Sequence, residues 1–216
     1  MNIVQIIKEN PFLGYTYRKL TSVVEIVPYY LFEEFLTDDR DIGFKGNFDG
    51  FEVCFLRPSD MKTISLSPEL NDSEHRLVER LANDCLCLGL KYNGAIAAYT
   101  WCNLRGGLSL ISPLRDDEAY LFDARTLKAY RGRNLAPYLR YQLYKHLTQI
   151  GRTKFFSITS VFNTSAINFK KKLKAKPLKL YLEIRLFRKY QWDIIIKDYE
   201  RRENSKVKGK RCKGKV

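Results

Sequence analysis

Apolar positions along the chain recur at every second residue in some stretches and at helical spacing in others, and their order sets out the elements. Residues 2–9 read as a short helix. The aromatic-rich stretch Tyr15–Leu36 contains Val23, Val24, Ile26 and Val27 before Pro28 interrupts it, a pattern compatible with helix or strand. Gly43, Gly46 and Gly50 punctuate a loop, and Phe51–Leu56 (FEVCFL) forms a compact strand. Asn71, Asp72 and Ser73 supply capping side chains for a helix running to about Asn83, with Leu77, Val78 and Leu81 on its apolar face. A hairpin follows: strand Cys87–Tyr92, turn Asn93-Gly94 and strand Ala95–Leu104. Asn-Gly supplies the positive φ angles that a two-residue type I′ turn requires.

Gly106-Gly107 turns the chain again, and after Leu108–Leu114 a strand runs from about Ala119 to Leu127. A helix spans roughly Leu135–Ile150, carried by Leu139, Leu143, Tyr144 and Leu147. Lys154–Val161 is a strand, Ser165–Leu173 a short helix, Leu178–Phe187 a further strand, and Trp192–Ile196 adds another. A hairpin feeding strand, helix, strand, helix, strand predicts an α/β fold: a mixed sheet, antiparallel in its first half, with helices on both faces. At 216 residues and 45% hydrophobic content the chain can bury one full core. The expected division is N-terminal elements over 1–66 continuous with a core over 67–200, then a basic tail over 201–216.

Charge sharpens that division. The tail holds eight basic residues against Glu203, so half of the net +14 lies in the last 16 residues. With almost nothing apolar to bury, it reads as a solvated arm or as a weak contact for an anionic surface such as lipid or RNA. Phe187, Tyr190 and Trp192, interleaved with Arg185, Arg188 and Lys189, fit such a surface, although aromatic residues in strands belong more often to a core. A second basic cluster, Lys170, Lys171, Lys172, Lys174, Lys176 and Lys179, points to a polyanionic ligand. No stretch of about 18 apolar residues occurs, and the first residues lack the pattern of a secretory signal, so a soluble cytoplasmic protein is expected. Five cysteines, Cys54, Cys85, Cys87, Cys102 and Cys212, lack the repeated hooks of a zinc site and read as free thiols. His75 and His146, the two histidines, fall in polar stretches and supply neither a metal centre nor a promising catalytic triad.

One junction stands out as chemical. The strand ending near Leu127 leads through Lys128-Ala129-Tyr130 into Arg131-Gly132-Arg133-Asn134-Leu135-Ala136-Pro137, where a helix begins. Unpaired N–H groups and the helix dipole make such a terminus attractive to phosphate. Gly132 and Asn134 tolerate the left-handed backbone needed to wrap a diphosphate, and Pro137 fits a first helical turn. Arg131 and Arg133 add charge for the same anion.

This segment resembles the acetyl-coenzyme A signature of the GNAT superfamily, in which Arg or Gln is followed by two residues, Gly, one residue, then Gly or Ala. Arg131 and Ala136 match its ends, and Asn134 stands where the middle glycine is usual. About 30 residues on, as one helix and one strand require, Val161-Phe162-Asn163-Thr164-Ser165-Ala166-Ile167-Asn168-Phe169 resembles the family's second landmark. The resemblance covers roughly Cys87–Tyr190. It implies a mostly antiparallel mixed sheet splayed between its two central parallel strands, with the pantetheine of acetyl-coenzyme A in the gap. It further implies that Thr126 and Leu127 pair with pantetheine amides, that Arg131, Gly132, Arg133, Asn134, Leu135 and Ala136 hold the diphosphate, and that Asn163, with Ser165 and Phe169, lines the pantetheine arm.

The implied reaction is N-acetyl transfer, by direct attack of an acceptor amine on the thioester, with no metal. It needs a base for the amine and an acid for the thiolate. Glu118 and Asp123 lie on the central strand, on opposite faces by alternation, so at most one can face the acceptor. The family's usual acid is a tyrosine at the position of Lys170, which leaves three options: Lys170 itself, a loop tyrosine, or unassisted departure. The basic character favours an anionic small-molecule acceptor such as a nucleotide-linked amino sugar, with a peptide amine as the alternative. A binding module for nucleic acid or membrane that has lost catalysis, and the use of aminoacyl-tRNA as donor, are the competing readings.

Overall fold

In the computed structural model, residues 23–37, 46–70, 72–106, 113–187 and 189–200 are described. The expected helix over 2–9, the stretch Leu108–Leu114 for the most part, and the tail from Arg201 lie outside them. By their internal contacts the described residues form two compact units, one drawn from 32–158 with 163–176 and the other from 23–31 with 159–162 and 177–200.

The elements of the larger unit begin with the end of β1 (Val24–Glu34), which makes the later part of the ambiguous Tyr15–Leu36 stretch a strand, residues 15–22 lying outside the described ones. They continue with β2 (Phe51–Phe55), α1 (Pro58–Ser65), α2 (Glu74–Ala82), β3 (Cys85–Tyr92), β4 (Ala95–Asn103) and β5 (Glu118–Thr126). After β5 come α3 (Leu135–Gln149), β6 (Lys154–Ser160) and α4 (Thr164–Lys172). Strand order within this unit is β2-β3-β4-β5-β6. The first three pairings are antiparallel and β5 with β6 is parallel, giving the expected mixed sheet. The hairpin turn has φ +49 at Asn93 and +78 at Gly94, as a type I′ turn demands.

Alternation along β3 and β4 sends side chains to opposite faces, each with its own helices. Leu88, Leu90, Ala98 and Cys102 pack with Leu121, Phe155 and the α3 residues Leu135, Leu139, Leu143, Tyr144 and Leu147. Cys87, Tyr99 and Trp101 pack with Met61 and Ile64 of α1 and Leu77 of α2. Helix α1 was not readable from periodicity, because Met61 and Ile64 are its only buried residues in eight. Pro58 in its first turn and Asp60, whose Oδ2 accepts from the Arg57 N–H at 2.9 Å, define it instead. Gly89 in β3 leaves room for Leu56, whose side chain occupies the space a Cβ would need.

The smaller unit contains most of β1, β7 (Lys176–Leu186) and β8 (Tyr190–Asp198), with β7 and β8 antiparallel from Leu186↔Tyr190 to Lys179↔Asp198. Trp192 is 49% exposed and Ile196 55%, so the aromatic and aliphatic residues of β8 are surface rather than core. Among the described residues, no helix is long and apolar enough to cross a membrane.

Candidate functional site

Strand β5 changes partner and shape along its length. Its parallel register with β6 runs only from Glu118↔Lys154 to Tyr120↔Phe156, while β5 continues to Thr126 and β6 through Ser157 and Ile158. The two strands thus part after Tyr120, as the predicted splay requires. On its other side β5 pairs with β4, Trp101↔Phe122 and then Tyr99↔Arg125, so Thr100 faces both Asp123 and Ala124. Asp123 is the bulged residue, with φ +46.

The bulge corrects the expected placement of the two carboxylates. Arg80 of α2 bonds Asp123 at 2.8 Å and stacks over Trp101 and Phe122, so Asp123 reaches the face that Phe122 occupies. Alternation puts Glu118, Tyr120 and Phe122 on that same face, and Tyr120 stacks on Phe122. Period-two counting fails because the bulge adds a residue. Asp123 also accepts from Arg125 at 2.8 Å. Burial pushes its carboxyl up, but the two guanidinium groups outweigh burial and hold it below its ordinary value. Glu118 is taken by Arg115, whose Nε donates to it at 2.7 Å, at the start of the strand. Tyr99, buried beside the bulge, has a hydroxyl with no hydrogen-bond partner among the described residues. Its burial pushes the phenol far up, so it stays neutral.

Beyond β5, Leu127 spends both backbone groups: its N–H donates to Ala97 O at 2.9 Å and its carbonyl accepts from Tyr130 N at 2.9 Å. Its amide is therefore held by β4. Thr126 carbonyl accepts from Arg131 Nε at 3.1 Å. Glu69, which the sequence offered no reason to select, binds the Lys128 N–H at 2.9 Å and Arg131 Nη2 at 3.3 Å. The loop then takes the left-handed conformations expected, with φ +81 at Gly132 and +59 at Asn134. Leu135 is buried and anchors α3, while Arg131, Gly132 and Arg133 are exposed and Ala136 is half-buried. Asn134 Oδ1 accepts from Lys172 Nζ at 2.6 Å, which ties α4 to this loop. A first helical turn with open N–H groups, flanked by Arg131, Arg133 and Lys172, can hold a diphosphate.

On α4, Asn163 is the cap, its Oδ1 accepting from Ala166 N at 3.0 Å, and Ser165 is exposed. Phe169 packs on the core with the Arg140 guanidinium 5.6 Å above its ring. Lys170 turns inward: its Nζ donates to Glu34 Oε1 at 2.9 Å and to Ser157 Oγ. Ser157 and Tyr144 hydroxyls also donate to Glu34, and Arg140 Nε lies 3.9 Å from Glu34 Oε2. Burial pushes the Glu34 carboxyl up, yet Lys170, Arg140 and the two hydroxyls hold it at about 2. Lys170 is lowered, by burial first and then by Arg140, against the pull of Glu34. One signal of this network was legible: Arg140 sits next to Leu139 and four residues before Tyr144, on the apolar side of α3.

Among the described residues no group of His, Cys, Asp or Glu could hold a metal ion. Residues 53–174 match the family model described as "Acetyltransferase (GNAT) family". No curated protein matches the sequence. Several solved structures share the fold. A tandem GNAT protein from the clavulanic acid biosynthesis pathway aligns with TM-score 0.57 at 15% identity, over 81% of this chain and 58% of its own. A GNAT-family acetyltransferase from Colwellia psychrerythraea aligns with TM-score 0.55 at 14% identity, over 84% and 62%. A GCN5-related N-acetyltransferase-like protein from Streptococcus suis gives TM-score 0.53 at 12% identity, over 82% and 68%. The chain thus spans about three fifths of the length of the first two.

Proposed function

Since the chain belongs to the acetyltransferase (GNAT) family, we propose that it transfers the acetyl group of acetyl-coenzyme A to the amine of a small, anionic acceptor. The observation that carries this reading is the continuity of two features: β5 and β6 part after Tyr120 and Phe156, and β5 then runs into the left-handed loop that opens α3. A flexible thioester arm fits the first and a diphosphate the second.

In this mechanism Gly132, Arg133, Leu135 and Ala136 offer backbone N–H groups to the diphosphate, and Arg131, Arg133 and Lys172 neutralise it. Asn134 supplies the backbone turn. Asn163, Ser165 and Phe169 line the arm, with Thr126 on the opposite wall. Asp123 takes the proton of the acceptor amine, and the unpartnered Tyr99 hydroxyl orients the acceptor beside it. Because two arginines depress Asp123, it is a weak base, and the acceptor must contribute a substantial neutral fraction of its own. Glu118, fastened to Arg115, positions the start of β5.

The test is release of coenzyme A thiol from acetyl-coenzyme A across a panel of amines: nucleotide-linked amino sugars, neutral amino sugars and peptides with free termini. Preference for the nucleotide-linked members supports the reading. Turnover only with peptides moves the acceptor to a polypeptide.

A second reading concerns location. The exposed Tyr190, Trp192, Ile194, Ile195 and Ile196 of β8 lie shortly before the +7 tail, a pairing of apolar and basic groups suited to weak contact with anionic lipid. Co-sedimentation with anionic vesicles, lost on ending the chain at Glu200, supports it; equal sedimentation of both chains removes it.

A further inference from the structure

Among the described residues, the buried network behind the gap sets two cations against one carboxylate. Lys170 is 3% exposed, Arg140 is 3% exposed and Glu34 is fully buried. Among the described residues, both cations find their ion-pair partner in the one carboxylate, Lys170 at 2.9 Å and Arg140 at 3.9 Å from Glu34. Tyr144, pushed far up by burial and by Glu34, remains a neutral phenol. Arg140 also keeps Nε and Nη1 buried without a hydrogen-bond partner among the described residues. A buried guanidinium with unused donors and no full counter-charge is costly, and its natural complement is an anion from outside the chain.

The position of this excess charge says which anion. The last paired residues of β5 and β6 are Tyr120 and Phe156. Lys170 Nζ is bonded to Ser157, the first β6 residue beyond the pairing. Arg140 joins the same cluster through Glu34, its Nε 3.9 Å from Oε2. The two cations thus form one cluster that reaches the root of the gap at β6, where Lys170 meets Ser157. On the reading above, the gap holds the thioester end of the cofactor.

We propose that Arg140 and Lys170 together stabilise the coenzyme A thiolate as it leaves, in place of a proton donor, with Glu34 and Ser157 positioning Lys170. The acceptor nitrogen forms a bond to the acetyl carbon, the carbon–sulfur bond breaks, and its electron pair departs on sulfur. The amine proton passes to Asp123 and on to water. The thiolate is held by the two cations until it is released and protonated by solvent. Lys170 keeps its proton throughout. The inference rests on acetyl-coenzyme A being the donor.

The experiment needs no turnover. Coenzyme A is bound to the full chain and its thiolate absorbance is followed in the ultraviolet as pH is raised, with desulfo-coenzyme A as the blank. The bound thiol is expected to ionise about one to three pH units below free coenzyme A, as an opposite charge within a few ångströms produces. Lys170→Met and Arg140→Met each lose much of that shift, while Arg140→Lys retains it. A bound thiol that titrates like free coenzyme A overturns the inference while leaving the donor reading intact, as does an equal shift in wild type and Lys170→Met. Failure of coenzyme A to bind wild type overturns the donor reading and this inference with it. Should Arg140→Met fail to fold, the wild-type shift and the Lys170→Met comparison still decide.

Discussion

Glu34 Oε1 stands 2.9 Å from Lys170 Nζ, joining two buried side chains 136 residues apart in sequence. The contact fixes the end of β1 to α4. Removing one partner strands the other charge, so Glu34→Gln should cost about 3–5 kcal/mol in urea unfolding. Replacing both, as Glu34→Leu with Lys170→Met, should cost clearly less than the single change.

The same carboxylate sets an acid response. Its folded pKa of about 2 lies below the ordinary 4.5, so the stabilisation it gives is complete above the ordinary value and lost as pH falls toward the folded one. Thermal midpoints should fall between pH 4.5 and about 2, and this slope should be shallower in the double variant.

At the bulge, Asp123→Asn should retain the fold, since Arg80 and Arg125 keep an oxygen to bind. Loss of the base should lower kcat by about 10²- to 10⁴-fold with cofactor affinity unchanged. In wild type, kcat/KM should rise with pH up to the acceptor amine's own ionisation, because the carboxylate is already deprotonated at neutral pH.

Asn134 gives a backbone test. With φ +59, Asn134→Gly should be tolerated and Asn134→Val strained by about 1 kcal/mol or more. Asn134→Val should also weaken binding of coenzyme A, measured by titration calorimetry, because the turn and the Lys172 tether are lost together.

In β3, Gly89→Val places a side chain where Leu56 already lies. Overpacking of this kind should lower stability by about 1–3 kcal/mol in chemical denaturation.

What could be read in advance divides along physical lines. The hairpin, α3, α4 and the loop from Arg131 to Ala136 were legible because local rules decide them: turn chemistry at Asn93-Gly94, helical spacing from Leu135, and tolerance of positive φ at Gly132 and Asn134. Helix α1 was hidden by having two buried residues, and the face of Asp123 by a bulge that no alternation pattern announces. The role of Glu34 was unreadable for another reason. Its partners Lys170, Ser157 and Tyr144 come from distant parts of the chain, and a lone acidic residue at a strand end ordinarily means a solvated edge. Glu69 was missed on the same ground, since its bonds to Lys128 and Arg131 span about 60 residues.

The central claim is that the loop between β5 and α3 holds acetyl-coenzyme A. Titration calorimetry of acetyl-coenzyme A into the full chain, into Arg131→Ala with Arg133→Ala, and into Asn134→Val tests it most directly. One saturable site per chain, weakened at least about tenfold by each change, is the predicted result, each lost charge contact or backbone donor being worth about 1–3 kcal/mol. Absence of binding to wild type, or affinities that do not differ among the three proteins, would contradict it.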